Sequence, residues 1–590
     1  MQIILNQTQH KIGSFEQIFQ DLREVFTKKP DQTQGRSSLP TLNLFPELYF
    51  TGYPLQDLVL QMDFIENYKL HFEKFSKWLE EQDESHNTVV LAGGLEYDFD
   101  KNGLPLHIKN VIYDCRPGSY PKKVYTKQLL PNYDIFDEEK YFKPGNKATH
   151  IEFAGKKVGL LICEDMWFSS THEVDPVHLL ENHAKEIGGL DLVVNLSASP
   201  YFLGKQAKRE KRGKELTQIF QTPFFYVNRV GGEDEILFDG QSFATNGTHT
   251  LTAKSFEKDI LEVNLNDFKV SKNSSAEIKK DVENSWESLY EADLSYKKDS
   301  LPCLRPWTDE ECHEVLKALC FGLREYAHKC GFNKFIIALS GGIDSGLVLH
   351  IARYALGKNQ SLEAIYMPSK YSGELSTKLA EELCYNLQVP LTFFPIKFLH
   401  STFQQEFLNH TKKPLKGISD ENIQSRIRGN ILYACSNQTG AMAINTSNKS
   451  ELAVGYSTQY GDSVGALSLL GDLYKSQVYD LARYLEKTYG QMPKKYIERA
   501  PTAELRDNQE DSQSLPPYER LDAILEGLLS YRLSQKMLSK LGFNSIEIKK
   551  TYDLYVKSEY KRKQFCPIIK IKAKSFGFGY RVPITKAKFD

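Results

Sequence analysis

Four strand-like apolar runs in the first half of the chain end in side chains able to make or break bonds to carbon. TLNLFPEL delivers Glu47, KVYTKQLLP delivers Lys127, KVGLLICEDMW delivers Cys163, and LDLVVNLSASPY delivers Ser197 and Ser199. Strand ends of layered α/β folds are where side chains from distant parts of a chain converge. A carboxylate, an amine and a thiol brought together this way suit nucleophilic catalysis. Cys163 would attack a carbonyl as the thiolate, Glu47 would take the thiol proton and later activate water, and Lys127 would supply positive charge beside thiolate and oxyanion. Taken singly, Cys163 also suits an inert cysteine after a core strand, and Glu47 and Lys127 suit solvated surface charges.

The second half carries a different chemistry. In KFIIALSGGIDSGLVLHIARYAL a hydrophobic strand runs into Ser340, Gly341, Gly342, Ile343, Asp344 and Ser345, and a helix follows at once. The glycines permit close backbone approach, and the free N–H groups and macrodipole of a helix start favour an anionic phosphate. The turn is neither a Walker A loop, since no Lys-Ser/Thr follows a GxxxxG spacing, nor a GxGxxG dinucleotide fingerprint. A third feature is the basic run GKQAKREKRGKE, from Gly204 to Glu215. It reads as a solvated helix face, or as the source of one cation for a substrate carboxylate.

The elements that must position these residues fall into two blocks. Short β-rich runs at Thr41–Phe45, Val89–Ala92, Val158–Ile162, Leu192–Leu196 and Phe224–Val227 end in Gly, Pro or Asn. Farther on, strands alternate with helical stretches: Phe335–Leu339 then Gly346–Leu356, and Leu362–Tyr366 then Ser372–Leu387. That is the rhythm of a parallel sheet with crossover helices. Between the blocks lies a polar, charge-rich connector at 266–305, so the expected domains are 1–265 and 306–590. Residues 403–425 read as a candidate substrate loop.

The contexts FPEL, K-x-LLP and CED, in that order, resemble the carbon–nitrogen hydrolase (nitrilase) superfamily over roughly residues 1–265. The resemblance implies a four-layer αββα sandwich that cleaves amide or nitrile C–N bonds with a Glu47–Lys127–Cys163 triad. It also implies a further active-site glutamate at Glu138 and a substrate contact at Tyr133. With glutamine as substrate, Tyr133, Glu138, Ser197 and Ser199 are its expected contacts.

SGGIDS resembles the pyrophosphate-binding loop of the ATP pyrophosphatase family, which cleaves ATP between the α- and β-phosphates to adenylylate a substrate. Within that group, residue 2 is Gln and not the exposed Cys of a class II asparagine synthetase. The nitrilase-type motifs do not fit the His-containing glutaminase of the usual GMP synthetase. NIQSRIRGNILYACSN, AINTSNKSELAVGYSTQYGD, GDLYKSQVYDLARYL and RAPTAELRDNQEDSQSLPPYERLDAIL instead resemble the NAD synthetases, over roughly 300–590. The implied ATP contacts are Ser340, Gly341, Gly342, Asp344, Ser345, Thr446 and Lys475. Arg426, Arg428, Asn430 and Asp462 are the implied deamido-NAD contacts, Asp344 and Glu451 the implied Mg2+ ligands, and Thr502 and Glu504 belong to the same resemblance. The two halves then complement each other: ammonia released from glutamine in one would amidate an adenylylated deamido-NAD in the other, through an enclosed passage. Another amidating or tRNA-modifying ATP pyrophosphatase remains the alternative.

Composition bounds these expectations. At 590 residues the chain is too long for one core, which predicts at least two domains. No segment approaches the ~20 apolar residues of a membrane span, and the N-terminus lacks the basic flank and apolar run of a signal peptide. The nine cysteines form no CxxC pair, which excludes a zinc ribbon and a disulfide scaffold and points to the cytoplasm. Net charge is −2, yet the last fifty residues hold twelve Lys/Arg against four Asp/Glu. That basic tail is expected over an anionic nucleotide site or a neighbouring subunit, with no nucleic-acid partner. The resemblance also implies a homo-oligomer.

Overall fold

The apolar runs of the first half form two six-stranded sheets packed face to face, in a computed structural model that describes residues 1–27, 39–83, 87–167, 173–270, 290, 293–295, 302–357, 359–507 and 509–587. The chain divides into two units, Met1–Glu233 with Leu237–Lys280, and Asp234–Ile236 with Asp281–Asp590. Most of the connector expected at 266–305 lies outside the described residues.

In the first unit one sheet runs Asp259–Asn264, Gln2–Gln7, Thr41–Leu44, Thr88–Phe99, Pro105–Cys115, Lys122–Thr126. The other runs Thr250–Thr252, Phe243–Thr245, Phe224–Asn228, Leu192–Ser197, Lys156–Ile162, His150–Phe153. The central pairs are parallel and the outer ones antiparallel. Side-chain alternation sorts the layers. Val158, Leu160 and Ile162 meet Leu42, Leu44, Val89 and Leu91 in the seam between sheets. Leu161 and Val193 face outward onto Val177 and Leu180 of the helix Pro176–Glu186 and Leu216 of the helix Lys205–Phe220. The helices Phe15–Thr27 and Met62–Glu80 cover the first sheet through an aromatic layer in which Phe19 meets Phe50 (5.2 Å between ring centroids) and Phe75 (5.4 Å). This is the four-layer αββα sandwich.

The strand expected at Val89–Ala92 continues to Phe99, through Gly93 and Gly94. Those glycines mark close approach and not a strand end. A Cβ on Gly93 would lie 2.7 Å from the Cα of Glu47, and one on Gly94 would lie 2.6 Å from the Phe50 ring. The missing side chains let the Glu47 turn sit directly on the sheet.

The second unit is built on a five-stranded sheet, parallel throughout, in the order Leu391–Phe393, Ser361–Tyr366, Lys334–Ala338, Met442–Asn445, Leu467–Ser468. The chain starts in the middle strand, crosses over the helices Ile343–Ala355 and Glu374–Leu387 to one edge, then returns to the other side. Strand order therefore reverses between Lys334–Ala338 and Met442–Asn445, and the carboxyl ends at such a reversal open a crevice for ligands. The turn at Ser340 and the residue Thr446 stand at those two ends.

Residues 403–425 are largely helical and not a loop: the helix Lys397–Thr411 runs to a short turn, and the helix Ile418–Thr439 follows. Asp420 joins the two, accepting from His400 Nε2 (2.8 Å) and Gln404 Nε2 (2.7 Å). The basic tail folds back into the second unit. Ile568, Phe576 and Tyr580 join the apolar cluster of the helix Tyr518–Leu529. Asp472 accepts the Ile571 and Lys572 N–H groups (2.8 and 2.7 Å), and Lys572 Nζ pairs with Glu526 (2.9 Å).

Candidate functional site

Each unit brings its own set of predicted residues together. In the first, Lys127 projects from the end of Lys122–Thr126 into the sandwich. Its Nζ donates to Glu47 Oε1 (2.7 Å) and to both Glu138 oxygens (2.9 and 2.7 Å). All three side chains are buried. Asn110 Nδ2 and the Ala198 N–H each donate to one oxygen of Glu47 (2.7 and 3.0 Å), and the Tyr53 hydroxyl donates to Glu138 (2.9 Å). Burial opposes the charge on Lys127, but the carboxylates of Glu138 and Glu47 outweigh it and hold the ammonium well above the usual lysine range. Burial pushes Glu138 upward in spite of Lys127.

Cys163 ends the strand Lys156–Ile162 at φ +45°, a left-handed conformation that costs a β-carbon residue of order 1–3 kcal/mol. Asn195, on the neighbouring strand, holds it from both sides: Oδ1 accepts the Cys163 N–H (2.6 Å) and Nδ2 donates to the Cys163 carbonyl (3.2 Å). Burial and the Glu47 charge push the thiol well above its usual range, against the pull of Lys127. The thiol thus rests protonated, within electrostatic reach of the Glu47 carboxylate. Asp165 fixes the distance between turn and amine, accepting from Ile162 N–H (3.1 Å), Gln128 N–H (3.1 Å), Leu129 N–H (2.8 Å) and the Tyr125 hydroxyl (2.8 Å).

Around this centre Tyr133, 54% exposed, donates to Glu164 Oε1 (2.9 Å). Ser197 Oγ donates to Asn195 Oδ1 (3.0 Å), and Ser199 N–H donates to Asn228 Oδ1 (2.9 Å). Both serines are buried and brace the strand end. The basic run forms the helix Lys205–Phe220. It is not simply a solvated face, because Arg209 is fully buried, its Nη1 donating to both Asp239 oxygens (2.9 and 2.8 Å) and its Nη2 to the Ser199 and Pro200 carbonyls (2.9 and 3.1 Å). Lys205 opens that helix and is half-buried. Its ammonium lies over Trp167 (4.8 Å) and Phe202 (5.1 Å), within electrostatic reach of the Glu164 carboxylate. Burial, reinforced by Arg209, pushes it down to about 8. Asp165, Asn195, Asn110, Glu164 and Lys205 were not singled out by sequence. The Glu-Asp of CED was the visible signal for Glu164 and Asp165.

In the second unit the Ser340–Ser345 turn lines a cavity together with Thr446, Glu451, Asp462, Lys475 and Arg428. Ser345 Oγ accepts the Ser340 N–H (3.1 Å) and Ser340 Oγ accepts the Gly342 N–H (3.2 Å), bracing the turn from within. Gly341 is left-handed, and a Cβ there would meet the Ser376 backbone, 2.8 Å from its Cα. Lys475 Nζ bonds to Asp344 Oδ2 and stands 3.6 Å from Glu451, while Asn448 Nδ2 donates to Asp344 Oδ1 (2.9 Å). Burial and the Asp344 charge push Glu451 well above the usual carboxylate range, against Lys475. Burial also raises Asp511, which accepts from the Tyr518 hydroxyl through Oδ2 (2.9 Å) and interacts with Tyr456. Of the three residues expected on the helix Ile418–Thr439, Arg428 lines the cavity, with Nε on the Met367 carbonyl (2.9 Å). Arg426, bonded to the Gln459 carbonyl (3.2 Å), and exposed Asn430 do not line it. At 100° per residue, positions 426 and 430 share a face that 428 does not.

Fold and sites together define an α/β enzyme that joins an amidase-type hydrolase unit to a nucleotide-using synthase unit. Residues 40–172 match the carbon–nitrogen hydrolase family model and residues 315–565 match the NAD synthase model. The chain is 37% identical over 568 residues to the glutamine-dependent NAD(+) synthetase of Synechocystis sp., covering 94% of each. It is 36% identical over 557 residues to that of Aquifex aeolicus, covering 92% of this chain and 93% of the relative. A solved glutamine-dependent NAD+ synthetase from Acinetobacter baumannii, in complex with ADP, superposes with TM-score 0.69 at 29% identity over 99% of this chain and 98% of that one. The chain belongs to the glutamine-dependent NAD(+) synthetase family.

Proposed function

We propose that the chain makes NAD from deamido-NAD, ATP and glutamine, releasing AMP, pyrophosphate and glutamate. The observation that carries the glutaminase half is the convergence of Glu47, Lys127 and Cys163 at three separate strand ends. Glu47 takes the thiol proton as Cys163 sulfur attacks the carboxamide carbon of glutamine, and Lys127 offsets the charge on the tetrahedral oxyanion. Glu47 returns the proton to the leaving nitrogen, ammonia departs, and a thioester remains. Glu47 then deprotonates the water that cleaves it to glutamate. Glu138 keeps Lys127 charged through the cycle. The zwitterionic end of free glutamine finds Lys205 for its carboxylate and Glu164 for its ammonium, with Tyr133 beside them. Ser197 and Ser199 hold the strand end beneath.

In the second unit the N–H groups of the Ser340–Ser345 turn and the start of the helix Ile343–Ala355 receive ATP phosphates. An oxygen of the nicotinate carboxylate attacks the α-phosphorus, pyrophosphate leaves, and ammonia displaces AMP from the adenylate to give the amide. Lys475 balances charge as pyrophosphate separates, Thr446 borders the nucleotide, and Arg428 and Asp462 border the deamido-NAD end. Among the described residues no group of three or more acidic, His or Cys side chains is placed to hold a metal by itself. Asp344 and Glu451 nevertheless fit Mg2+, which takes one or two protein carboxylates and completes its shell with phosphate oxygens and water. When bound, Mg2+ supplies charge neutralisation at the phosphates. Among the described residues no helix is long and apolar enough to cross a membrane. A cytoplasmic location and a homo-oligomeric assembly complete the proposal.

The test separates the two chemistries. Cys163→Ala abolishes glutamine-dependent NAD formation and leaves ammonium-dependent formation intact, whereas Asp344→Ala removes both. Loss of both activities in folded Cys163→Ala, or full glutamine activity in it, refutes the assignment. Pyrophosphate release triggered by RNA and not by deamido-NAD would favour a tRNA-modifying enzyme.

A further inference from the structure

Arg499, Thr502, Glu504 and Asp511 line the same cavity as the Ser340–Ser345 turn. Arg499 is held there by a small closed ring of hydrogen bonds. Its Nη1 donates to Ser376 Oγ (2.7 Å), its Nη2 donates to Glu504 Oε1, and Ser376 Oγ donates to that same oxygen (2.7 Å). The side chains of Arg499 and Glu504 are each 18% exposed, so the pair is reachable from the cavity and not sealed in a core. Ser376 is also the residue whose backbone closes on Gly341. The ring therefore rests against the phosphate turn itself.

Charge in the cavity decides what this arrangement can do. The lining carries three cations, Arg428, Lys475 and Arg499, against five carboxylates, Asp344, Glu451, Asp462, Glu504 and Asp511. It holds more acidic side chains than basic ones before a triphosphate enters. Lys475 is engaged by Asp344 and Glu451, and Arg428 is anchored through Nε to a carbonyl. Arg499 alone among the three pairs with a carboxylate from its own loop, five residues along, on Glu504 at φ +49°. A phosphate oxygen can replace a carboxylate oxygen on a guanidinium like for like, and the planar fork favours two phosphate oxygens at once.

We infer that Arg499 binds the β,γ-phosphates of ATP, and that Glu504 is its displaceable stand-in. Incoming phosphate oxygens take the guanidinium from Glu504, and Glu504 reclaims it as pyrophosphate leaves. The inference rests on the cavity being the ATP site. Ammonium-dependent NAD formation from ATP and deamido-NAD reads it out, with the ATP KM and the pyrophosphate inhibition constant measured for the native enzyme and for Arg499→Ala, Arg499→Lys and Glu504→Gln. Arg499→Ala should raise both constants at least tenfold, and Arg499→Lys should fall between it and the native enzyme. Glu504→Gln should lower both several-fold, because the arginine loses its competitor. A Glu504→Gln enzyme that weakens ATP in the same direction as Arg499→Ala makes the ring a mere loop brace and overturns the inference, as does an unchanged pyrophosphate constant in Arg499→Ala. If Arg499→Ala fails to fold, the opposite signs expected of Arg499→Lys and Glu504→Gln still decide. A native enzyme that forms no NAD from ATP, deamido-NAD and ammonium overturns the ATP-site reading beneath it, a result distinct from the others.

Discussion

Replacing Lys205 by Met separates substrate recognition from catalysis in the glutaminase unit. The Met side chain keeps the apolar stem packed on Trp167 and Phe202 and deletes only the ammonium. A charge-assisted hydrogen bond to a carboxylate contributes about 1.5–3 kcal/mol. At about 1.36 kcal/mol per factor of ten, its loss lowers kcat/KM for glutamine by roughly 10–150-fold. The loss falls mainly on KM, because the ammonium pairs with a carboxylate remote from the reacting carbon and holds ground and transition states alike. Burial has already pushed Lys205 down to about 8, so in the native enzyme the glutamine KM should climb as pH rises through that value, and the variant should show no such limb. The decisive assay pairs glutamine with 4-aminobutanamide, the same molecule without its α-carboxylate. Both enzymes should hydrolyse the truncated amide with similar kcat/KM. An equal fold loss on the two substrates, or a pH limb retained in Lys205→Met, refutes the assignment.

Arg209→Met leaves Asp239 buried without its cation and should destabilise the first unit by about 3–5 kcal/mol. The double change Arg209→Met/Asp239→Leu should recover most of that in thermal or urea unfolding, and a double variant no better than the single one contradicts the ion-pair account. His350 is fully buried, stacked on Tyr354 (5.0 Å), and neither ring nitrogen has a hydrogen-bond partner; burial pushes it from 6.5 down to about 4. The unfolded chain therefore takes up a proton below pH 6.5 that the folded chain refuses until about pH 4, so stability falls as pH drops through that window, by about 3 kcal/mol at 1.36 kcal/mol per pH unit. Unfolding of His350→Phe across pH 4–7 should lose that part of the slope, and an identical slope excludes it.

The site residues that sequence made legible are those that end an apolar run. Glu47, Lys127 and Cys163 each follow a strand, and the strand tells where the side chain arrives. What sequence left hidden was set by partners far along the chain. Asn195 looks like one more polar residue inside a buried strand, and only the pairing of Leu192–Ser197 with Lys156–Ile162 makes it the clamp on Cys163. Arg209 and Lys205 are indistinguishable as letters in a basic run; helix geometry sends one into Asp239 and leaves the other over Trp167. The resemblance implied Arg426, Arg428 and Asn430 as one set, yet a helix period of 3.6 puts 428 on a different face from 426 and 430. The helix Lys397–Thr411 escaped notice because only His400 on it is buried, so no apolar stripe announces it.

The pairing of Gln2–Gln7 with Asp259–Asn264 has a consequence in time. A growing chain presents Cys163 to the cell when the strand that closes the first sheet has yet to be made, about 100 residues later. For the first third of that stretch Glu47 also lacks the N–H of Ala198 that it accepts in the finished fold. At roughly 5–20 residues per second of synthesis, that interval lasts roughly 5–20 s. Through that interval Gln2–Gln7 has only Thr41–Leu44 as its neighbour in the sheet. The first sheet is thus completed by the last strand of its unit to be made, and a unit cut short before Asp259 leaves the Gln2–Gln7 edge unpaired.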